Sequence, residues 1–425
     1  MITLYRFLGV LLYPTIVIII YLRRFFGKED PKRFTEKIFP YKFNIVKNIP
    51  DLIWFHAASI GELRSIHPII EELKNINKDY QFLITTTTLS SSKLVNKEFK
   101  NIENIYHRFL PIDVSFVIKS FLKNWKPKAI FLVDSEIWPN LILYSRELKI
   151  PLALINARIT KKTSDKWMLF NKTANKIFSS IDLCLASNNE TKKKLIDLKA
   201  KKVFFTGNIK LISKIDQNKI ENTNKEFLEK EKFWLAASTH SNEEEFCLAA
   251  HKKLKEHFKK ITTIIAPRHI SRSKQIQNMC NKLNLSNQIL NDNDIILKEK
   301  EIIIINSFGV LPSYFKYAKS TFIGKSFIKR LEKEGGQNPI EAAKLGCKVY
   351  HGPFVYNFSE IYQLLGEKNI SKKIESSDEL VENLKSDLNE NEKKKFQFDA
   401  FLNDLGASVL INNMEKINKF LKNEI

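Results

Sequence analysis

Residues 327–358 read FIKRLEKEGGQNPIEAAKLGCKVYHGPFVYNF, and the run EGGQNPIEAA within them (residues 334–343) is the basis of our interpretation of the whole chain. The two glycines of this run can turn the backbone and expose its amide groups. Asn338 can then cap a helix, and Pro339 suits the first helical position because the N–H that proline lacks would be unpaired there. Free amides at a helix N-terminus attract anions, so the run favours a phosphate site in a C-terminal Rossmann-like domain.

The same run has a purely structural interpretation. Asn338 and Glu341 stand at the spacing of a capping box, in which both side chains only close the end of a helix. In the binding interpretation, the amides of Gly335 and Gly336 and the helix start at Asn338 would hold the phosphate of a nucleotide. The run alone leaves both interpretations open.

Length and charge narrow the class of protein. The 425 residues are enough for two domains of ordinary size. Lys and Arg outnumber Asp and Glu by 69 to 47, a net charge of +22 that favours nucleic acid, an anionic membrane surface or phosphorylated substrates as partners. Lys, Asn and Ile are all abundant, as in an AT-biased genome, so the charge is weak evidence for nucleic acid and we expect none as a partner.

The four cysteines are Cys184, Cys247, Cys280 and Cys347. They lie far apart and without paired metal spacing, which favours a reducing compartment and scattered core thiols. The chain also has no Gly-rich P-loop, no GxSxG elbow and no zinc-ligand spacing. We therefore predict neither a metal site nor a bound cofactor.

An uncharged segment near the N-terminus predicts a membrane anchor. Phe7 to Leu22 carries no charged side chain, and sixteen such residues are at the short limit for a spanning helix, so the segment either crosses once or lies in the interface. One basic residue, Arg6, precedes it, whereas five follow it closely: Arg23, Arg24, Lys28, Lys32 and Arg33. The positive-inside bias then places the rest of the chain on the cytoplasmic face of the membrane.

Beyond the anchor, short apolar runs alternate with amphipathic ones, a pattern typical of βα units with parallel sheets. The predicted strands are Leu52–Ala57, Gln81–Thr86, Ala129–Val133, Pro151–Ile155 and Leu183–Ala186, and then Phe233–Ala237, Ile261–Ala266, Glu301–Ile305, Thr321–Ile323 and Lys348–His351. The polar stretch between the two sets predicts a linker. We predict an anchor at 1–24, a first Rossmann-like domain at 25–215, a linker at 216–231 and a second Rossmann-like domain at 232–425. Two such domains would face each other across a ligand-binding cleft.

The segment HAASIGE (residues 56–62) runs from a strand into a turn and then a carboxylate. Gly61, with Ser59 before it, would let a substrate approach the backbone, and Glu62 would stand at the rim of the sheet. Glu62 is a candidate general base for a substrate hydroxyl. The alternative is that a glutamate in a first helical turn only complements the helix dipole. His56 is expected to pack at the end of the strand rather than to act in catalysis.

The segment DSEIWPN (residues 134–140) repeats this geometry after another strand. Glu136 either faces the cleft or pairs with a basic neighbour. Arg158 ends the next strand, so it is expected to meet an acidic group on the same rim, and an ion pair with Glu136 is the structural alternative.

Further polar residues follow the remaining strand ends. Lys210 closes the first domain and could contact an anionic donor, although a solvated lysine is the default. Ser238 and Thr239 lie at a helix entry, where hydroxyls bind an anion or cap the helix. Arg268 ends the next strand, and its guanidinium can clasp a phosphate or a carboxylate with two hydrogen bonds.

Taken together, these segments resemble the 3-deoxy-D-manno-octulosonic acid (Kdo) transferases of lipopolysaccharide synthesis, which are membrane-anchored glycosyltransferases of the GT-B fold. The resemblance covers nearly the whole chain after the anchor and rests on the order and spacing of FFGKED (25–30) with Arg33 and Glu36, HAASIGE (56–62), EIWPN (136–140), NARIT (156–160), TGNIK (206–210), AASTH (236–240), APRH (266–269), FIGKSF (322–327), GGQNPIEAA (335–343) and GPFVYNF (352–358).

The resemblance implies roles for particular residues. Glu62 would be the catalytic base and Glu136 a cleft carboxylate important for activity, with Ser59, Gly61 and Arg158 on the acceptor side. The residues implied around the donor nucleotide are Lys210, Ser238, Thr239, Arg268, Gly324, Lys325, Gly335, Gly336, Asn338 and Glu341. Glu341 would hold ribose hydroxyls.

Two positions depart from the family pattern. Val310 stands where the family usually has a glutamate, and Gln337 stands where it usually has a histidine. Gln337 still donates and accepts hydrogen bonds, but it cannot titrate near neutral pH. Donor binding is the property that these departures affect.

The resemblance implies an inverting transferase that moves Kdo from CMP-Kdo to the glucosamine 6-hydroxyl of a lipid A precursor. It would need no cofactor and would act at the cytoplasmic face of the inner membrane, beside anionic lipids. One alternative is a GT-B enzyme that uses another nucleotide sugar. Another is a non-catalytic protein of the basic membrane surface, an interpretation favoured by Val310 and Gln337.

Overall fold

The computed structural model describes residues 1–43, 49–99, 102–213, 215–332, 335–390 and 398–424, so Glu334 of the glycine-containing run lies outside the described residues. The chain forms two compact units. The first contains Met1–Ser213 together with Asp404–Ile425, and the second contains Lys214–Asn403.

The first unit is built on a seven-stranded parallel sheet in the order β3-β2-β1-β4-β5-β6-β7. Its strands are β1 Leu52–His56, β2 Gln81–Thr86, β3 Ile105–Phe109, β4 Ala129–Val133, β5 Leu152–Ala157, β6 Leu183–Ala186 and β7 Val203–Phe205. Its helices are α1 Ile2–Leu11, α2 Tyr13–Phe25, α3 Ile60–Ile76, α4 Leu89–Glu98, α5 Ser115–Trp125, α6 Pro139–Glu147, α7 Lys161–Met168, α8 Asn171–Phe178 and α9 Asn189–Asp197.

The second unit repeats this plan in the order β10-β11-β9-β8-β12-β13-β14, again with all strands parallel. Its strands are β8 Phe233–Thr239, β9 Thr262–Pro267, β10 Asn287–Leu290, β11 Ile302–Ile305, β12 Ser320–Ile323, β13 Lys348–His351 and β14 Ser371–Lys373. Its helices are α10 Lys225–Lys230, α11 Glu243–Lys255, α12 Ser273–Lys282, α13 Leu311–Phe315, α14 Ile340–Lys344, α15 Ser359–Glu367 and α16 Ser377–Asn389, and α17 Phe398–Leu421 leads out of it.

The central strands are buried along almost their whole length because helices cover both faces of each sheet. All five residues of β4 and all four isoleucines of β11 are buried. Aromatic side chains pack on both faces of the first sheet, because successive residues of a strand point to opposite faces. The Phe55 and Phe131 rings stack at 4.8 Å on one face, and Trp54 packs on Phe121 of α5 on the other. The prediction of two Rossmann-like domains, as in a GT-B fold, is confirmed.

All ten predicted strands are present with small shifts at their ends, whereas four further strands were not predicted. These are β3, β7, β10 and β14, and they form the outer edges of the two sheets. An edge strand has only one neighbour and is less buried, so its sequence needs no apolar run. The sequence of β14 is Ser-Lys-Lys.

The predicted domain boundaries differ from the observed units at both ends of the second domain. The proposed linker, 216–231, belongs to the second unit because α10 buries Phe227 and Leu228. Residues 404–425, assigned by prediction to the second domain, belong to the first. There the Thr206 hydroxyl donates to Asn413 at 3.0 Å. An amphipathic helix does not reveal in its own sequence which unit it covers.

The N-terminal segment is broken rather than continuous. Within the described part of the chain, no single helix has the length and hydropathy to cross a membrane; α1 and α2 meet that criterion only as a pair, bent by 56°. The break falls just ahead of Pro14, in the first turn of α2, where proline lacks the N–H of a continuing helix. The predicted anchor helix thus consists of two helices, and its attachment to a membrane stays a prediction. Arg6 contacts α6, with 3.0 Å to Glu147.

A substitution in α17 tests the packing of residues 404–425 on the first unit. A methyl group on Gly406 would lie 2.5 Å from the Leu211 carbonyl oxygen. We expect Gly406→Ala to lower the free energy of unfolding by about 1 to 3 kcal/mol, although alanine normally stabilises a helix. Gly366 of α15 is the control, because the nearest atom to its added methyl would be 3.8 Å away, and Gly366→Ala should stabilise by about 0.5 kcal/mol. Urea unfolding measures both; equal stabilisation by the two alanines would contradict the packing.

Candidate functional site

Two acidic side chains lie where the strand order of the first sheet reverses. Strands β1 and β4 are neighbours, but the chain continues outward from them to opposite sides, which makes their junction a topological switch point. Ligands of doubly wound sheets bind at the carboxyl ends of the strands at such a point. Glu62 follows β1 and Glu136 follows β4, so the placement of both carboxylates on this rim is confirmed.

Glu62 is held by the turn that starts α3. Its two carboxylate oxygens accept hydrogen bonds at 2.7 Å, one from the Ala58 amide and the other from the Ser59 hydroxyl. Ser59 in turn is the N-cap and accepts from the Glu62 amide at 3.4 Å. Glu62 therefore takes part in the N-terminal cap of α3, and the same hydrogen bonds fix the orientation of a carboxylate that remains half-buried at the rim.

The electrostatic surroundings favour the protonated form of Glu62 more than solvent would. Burial raises the pKa of its carboxyl, and the negative charge of Asp134 raises it further, with a smaller contribution from Glu136. The Ser59 hydrogen bond and the positive charge of Lys210 act in the opposite direction without cancelling the rise. A carboxylate with a raised pKa accepts a proton more readily, which is what a general base needs.

Asp134 is the buried anion beside Glu62, and two cations clasp it. Lys210 Nζ and Arg158 Nε each lie 2.9 Å from one of its oxygens. Burial alone would raise the pKa of Asp134, but these two charges outweigh it and hold the pKa below its usual range. Arg158 thus meets an acidic group on the rim as predicted, and its alternative pairing with Glu136 is wrong. Lys210, which was predicted to lie near the donor nucleotide, forms an ion pair with Asp134.

Glu136 is held by two ring N–H groups instead. Trp138 Nε1 donates to Glu136 Oε2 at 2.7 Å, and His56 Nε2 lies 3.1 Å from the same oxygen.

Gly61 lies in the same turn region as Glu62, and a methyl group added to it would meet no atom within 4 Å. The protein itself does not need the small size of Gly61, so its use for substrate approach stays a prediction.

The second sheet has its own switch point, between β8 and β12. Ser238 and Thr239 end β8, and Gly324 and Lys325 follow β12. A methyl group on Gly324 would stand 2.5 Å from the Ser238 carbonyl oxygen, so only glycine lets the two strand ends approach this closely. The Thr239 hydroxyl is buried and donates a hydrogen bond to Glu244 at 3.4 Å. This contact differs from the predicted one with the donor nucleotide.

Glu243 holds this second rim together and was not predicted as a site residue. Its buried carboxylate accepts four backbone amides at 2.7 to 3.0 Å, from His240 and from the three residues Lys325, Ser326 and Phe327. The amides after β12 are therefore not available to a ligand phosphate. Glu243 is the first of three consecutive glutamates. The sequence does not indicate which of the three side chains is buried.

The side chains around this rim are basic. Burial lowers the pKa of His240 to about 4, and the positive charges of Lys325, His269 and Arg268 contribute to the shift. The His240 and His269 rings meet edge to face at 5.9 Å, and the Arg268 side chain is exposed. Lys325 and Arg268 thus provide a positive potential near Ser238, the charge that a phosphate requires.

The glycine-containing run differs from its prediction in two details. Helix α14 begins at Ile340, so Pro339 lies just ahead of the helix, and the Asn338 side chain accepts from the Ile340 amide at 3.1 Å. Gly336 has a positive φ of 87°, but its amide donates to the Lys325 carbonyl oxygen. That amide is therefore not free, and α14 has only five residues. Gly335 is buried, and Glu341, in the first turn of α14, is half-buried.

Across the described ranges, no group of three or more His, Cys, Asp or Glu side chains is placed to hold a metal ion. The four cysteines are buried, and none of them forms a disulfide bond.

The chain is similar to known proteins in sequence and in fold. Residues 32–213 match the family model described as 3-Deoxy-D-manno-octulosonic-acid transferase (kdotransferase). A 3-deoxy-D-manno-octulosonic acid transferase of Rickettsia bellii is 31% identical over 403 residues, covering 93% of each chain. A transferase of the same name from Haemophilus influenzae is 27% identical over 378 residues, covering 88% of this chain and 86% of that one.

Among solved structures, the UDP-GlcNAc 2-epimerase of Neisseria meningitidis bound to UDP-GlcNAc matches with a TM-score of 0.56. It is 14% identical, and the match covers 88% of this chain and all of the other. At this identity the likeness shows a shared fold.

The ion pairs of Asp134 yield a stability test. We expect Asp134→Asn to cost about 3 kcal/mol at pH 7, because it leaves two partly buried cations without their anion. The folded-state pKa of Asp134 is depressed, so its contribution is present above the unfolded pKa of about 3.9 and is lost as the pH falls toward the folded value. The difference between wild type and variant in urea unfolding should therefore shrink below about pH 4.

Asp51 provides the control, because its ion pair with Lys128 is exposed. Asp51→Asn should cost less than about 1 kcal/mol. If the two variants lost equal stability at pH 7, Asp134 would not be the buried anion described here.

Proposed function

Because the chain belongs to the 3-deoxy-D-manno-octulosonic acid (Kdo) transferase family, we propose that it moves Kdo from CMP-Kdo to the glucosamine 6-hydroxyl of a lipid A precursor, with inversion at the anomeric carbon. The observation that carries this proposal is the oriented carboxylate of Glu62 at the switch point of the first sheet. Its raised pKa suits it to receive a proton.

In the proposed step, Glu62 takes the proton of the acceptor hydroxyl as the oxygen attacks the anomeric carbon of Kdo. The bond from that carbon to the phosphate oxygen breaks, and its electron pair leaves with CMP. Ser59 and Ala58 fix the two oxygens of the base before the substrate arrives, so little reorganisation is needed in the transition state.

The departing CMP is a phosphate monoester whose negative charge grows as the bond breaks. We assign its stabilisation to Arg268 and Lys325, since both lie near Ser238 at the rim of the second sheet. Glu341 and Asn338, at the start of α14, are assigned to the nucleoside. In this scheme the protein uses fixed charge and dipoles, and no metal or cofactor takes part.

The acceptor and the setting are assigned from charge and exposed apolar surface. Lipid A precursors carry phosphates and the inner leaflet carries anionic lipids, and both attract a chain with a net charge of +22. The broken pair α1 and α2 ends in two strongly exposed aromatic side chains, Phe25 and Phe26, beside Arg23 and Arg24. We propose that this pair attaches the enzyme to the cytoplasmic face of the inner membrane.

Removing the base tests the reaction directly. Glu62→Gln keeps the size of the side chain and a hydrogen-bonding oxygen but cannot take a proton, so we expect transfer to fall at least about 100-fold while CMP still binds. Glu71→Gln, an exposed change on the same helix, should leave the rate unaltered. The transfer rate is measured with a labelled lipid A precursor as acceptor and either CMP-Kdo or a hexosamine nucleotide as donor. Calorimetry measures CMP binding. Near-normal turnover by Glu62→Gln would exclude this base.

The pH dependence tests the environment of the base. Only the ionised form of Glu62 accepts a proton, and its pKa is raised, so kcat/KM should fall on acidification through an apparent pKa above the usual value of about 4.3. Asp134→Asn removes a negative charge that raises this pKa and leaves the positive charge of Lys210. The acid limb should then move to lower pH, provided circular dichroism shows the variant folded. A shift to higher pH would contradict the assignment.

A further inference from the structure

His56 is a fully buried histidine between the core and the rim of the first sheet. On the core side, its Nδ1 lies 3.0 Å from the Thr85 hydroxyl, and that hydroxyl accepts from Trp54 Nε1 at 2.9 Å. On the rim side, its Nε2 lies 3.1 Å from Glu136 Oε2. A chain of hydrogen bonds therefore runs from a core tryptophan to a carboxylate of the candidate site.

The direction of each bond follows from which groups can donate. An indole N–H only donates and a carboxylate only accepts, so the two ends of the chain are fixed. The Thr85 hydroxyl accepts a hydrogen bond from Trp54 Nε1 and donates its own hydrogen bond to His56 Nδ1. His56 then carries its ring proton on Nε2 and donates it to Glu136. One neutral histidine satisfies every group, and no charge is buried in the imidazole ring.

The alternative tautomer is less favourable. His56 Nδ1 also lies 3.0 Å from the Thr85 carbonyl oxygen. That oxygen already accepts the Ala57 amide in the sheet. Donation from Nδ1 to it would leave Nε2 either bare against a carboxylate or part of a fully buried imidazolium. The neutral form with its proton on Nε2 avoids both costs.

Two donors consequently converge on a single oxygen of Glu136. His56 Nε2 and Trp138 Nε1 both reach Oε2, and no hydrogen bond to Oε1 is present among the described residues. The side chain of Glu136 is 20% exposed. Its orientation is thus fixed through Oε2, and Oε1 keeps its capacity to accept a hydrogen bond.

We propose that His56 is a positioning residue, which holds Glu136 by donating from Nε2 so that Oε1 receives a hydroxyl of a sugar substrate. This inference rests on the transferase function proposed above. The competing explanation is that His56 only joins β1 to β2 through Thr85. The two explanations differ in which ring nitrogen matters, Nε2 or Nδ1.

Two substitutions separate the nitrogens. In His56→Asn the side-chain amide reaches the position of Nδ1, so it keeps the contact with Thr85 and loses the contact with Glu136. In His56→Gln the amide reaches the position of Nε2 and still donates to Glu136. We expect His56→Asn to lower kcat about 10- to 100-fold, the range for one hydrogen bond to a charged group. His56→Gln should recover most of that loss.

Further variants give the test its controls. His67→Asn changes another histidine of the first unit, one that bonds the Glu98 carbonyl oxygen, and it should leave kcat unchanged. In a Glu136→Gln background, His56→Asn should cause little further loss, because the group it positions has already been altered. Thermal unfolding of every variant identifies any loss that follows from misfolding.

The outcomes decide the matter. Wild-type kcat in folded His56→Asn, or an equal loss in His56→Asn and His56→Gln at equal stability, overturns the positioning role. If His56→Asn does not fold, the comparison of His56→Gln with Glu136→Gln decides: near-wild-type kcat in the first with a loss in the second supports the role, and losses of similar size overturn it. A wild-type protein without CMP-Kdo-dependent turnover would instead overturn the proposed function.

Discussion

The arrangement of the first rim depends on the buried carboxylate of Asp134. Its two ion pairs join the end of β4 to Arg158 after β5 and to Lys210 after β7, 24 and 76 residues further along the chain. Without an anion there, the positive charge of Lys210 would lower the pKa of Glu62 unopposed by Asp134. With it, the cations are neutralised and the negative field of Asp134 raises the pKa of Glu62 instead. One buried charge therefore supports the fold and raises the pKa of the proposed base, Glu62.

The second unit uses a buried carboxylate in a different way. Glu243 is surrounded by backbone amides rather than by charged side chains, and the four hydrogen bonds fix the turn after β12 against the start of α11. Because its negative charge is bound by neutral donors, Lys325 and Arg268 are not required to compensate for it. Both units thus place a buried carboxylate at the switch point, the first bound by two cations and the second by four backbone amides.

The sequence predicted what depends on local pattern. Continuous apolar runs such as Ala129–Val133 located the central strands, and the polar residues after them were correctly placed on one rim, because parallel strands bring their carboxyl ends to the same edge. Edge strands such as Ser371–Lys373 lacked that pattern. Partner choice was not predictable either, because pairing Asp134 with Lys210 requires the order of seven strands, which no local spacing encodes.

Glu62 shows why the structural and functional interpretations of one residue need not exclude each other. As a cap, it accepts from Ala58 and Ser59, and each hydrogen bond favours the ionised carboxylate. In the proposed role as a base, Glu62 would give up part of that stabilisation on taking a proton, so strong capping would oppose catalysis. Burial and the charge of Asp134 act in the opposite direction and leave the net pKa raised. The cap supplies orientation, and the surrounding field restores the basicity that the cap would otherwise remove.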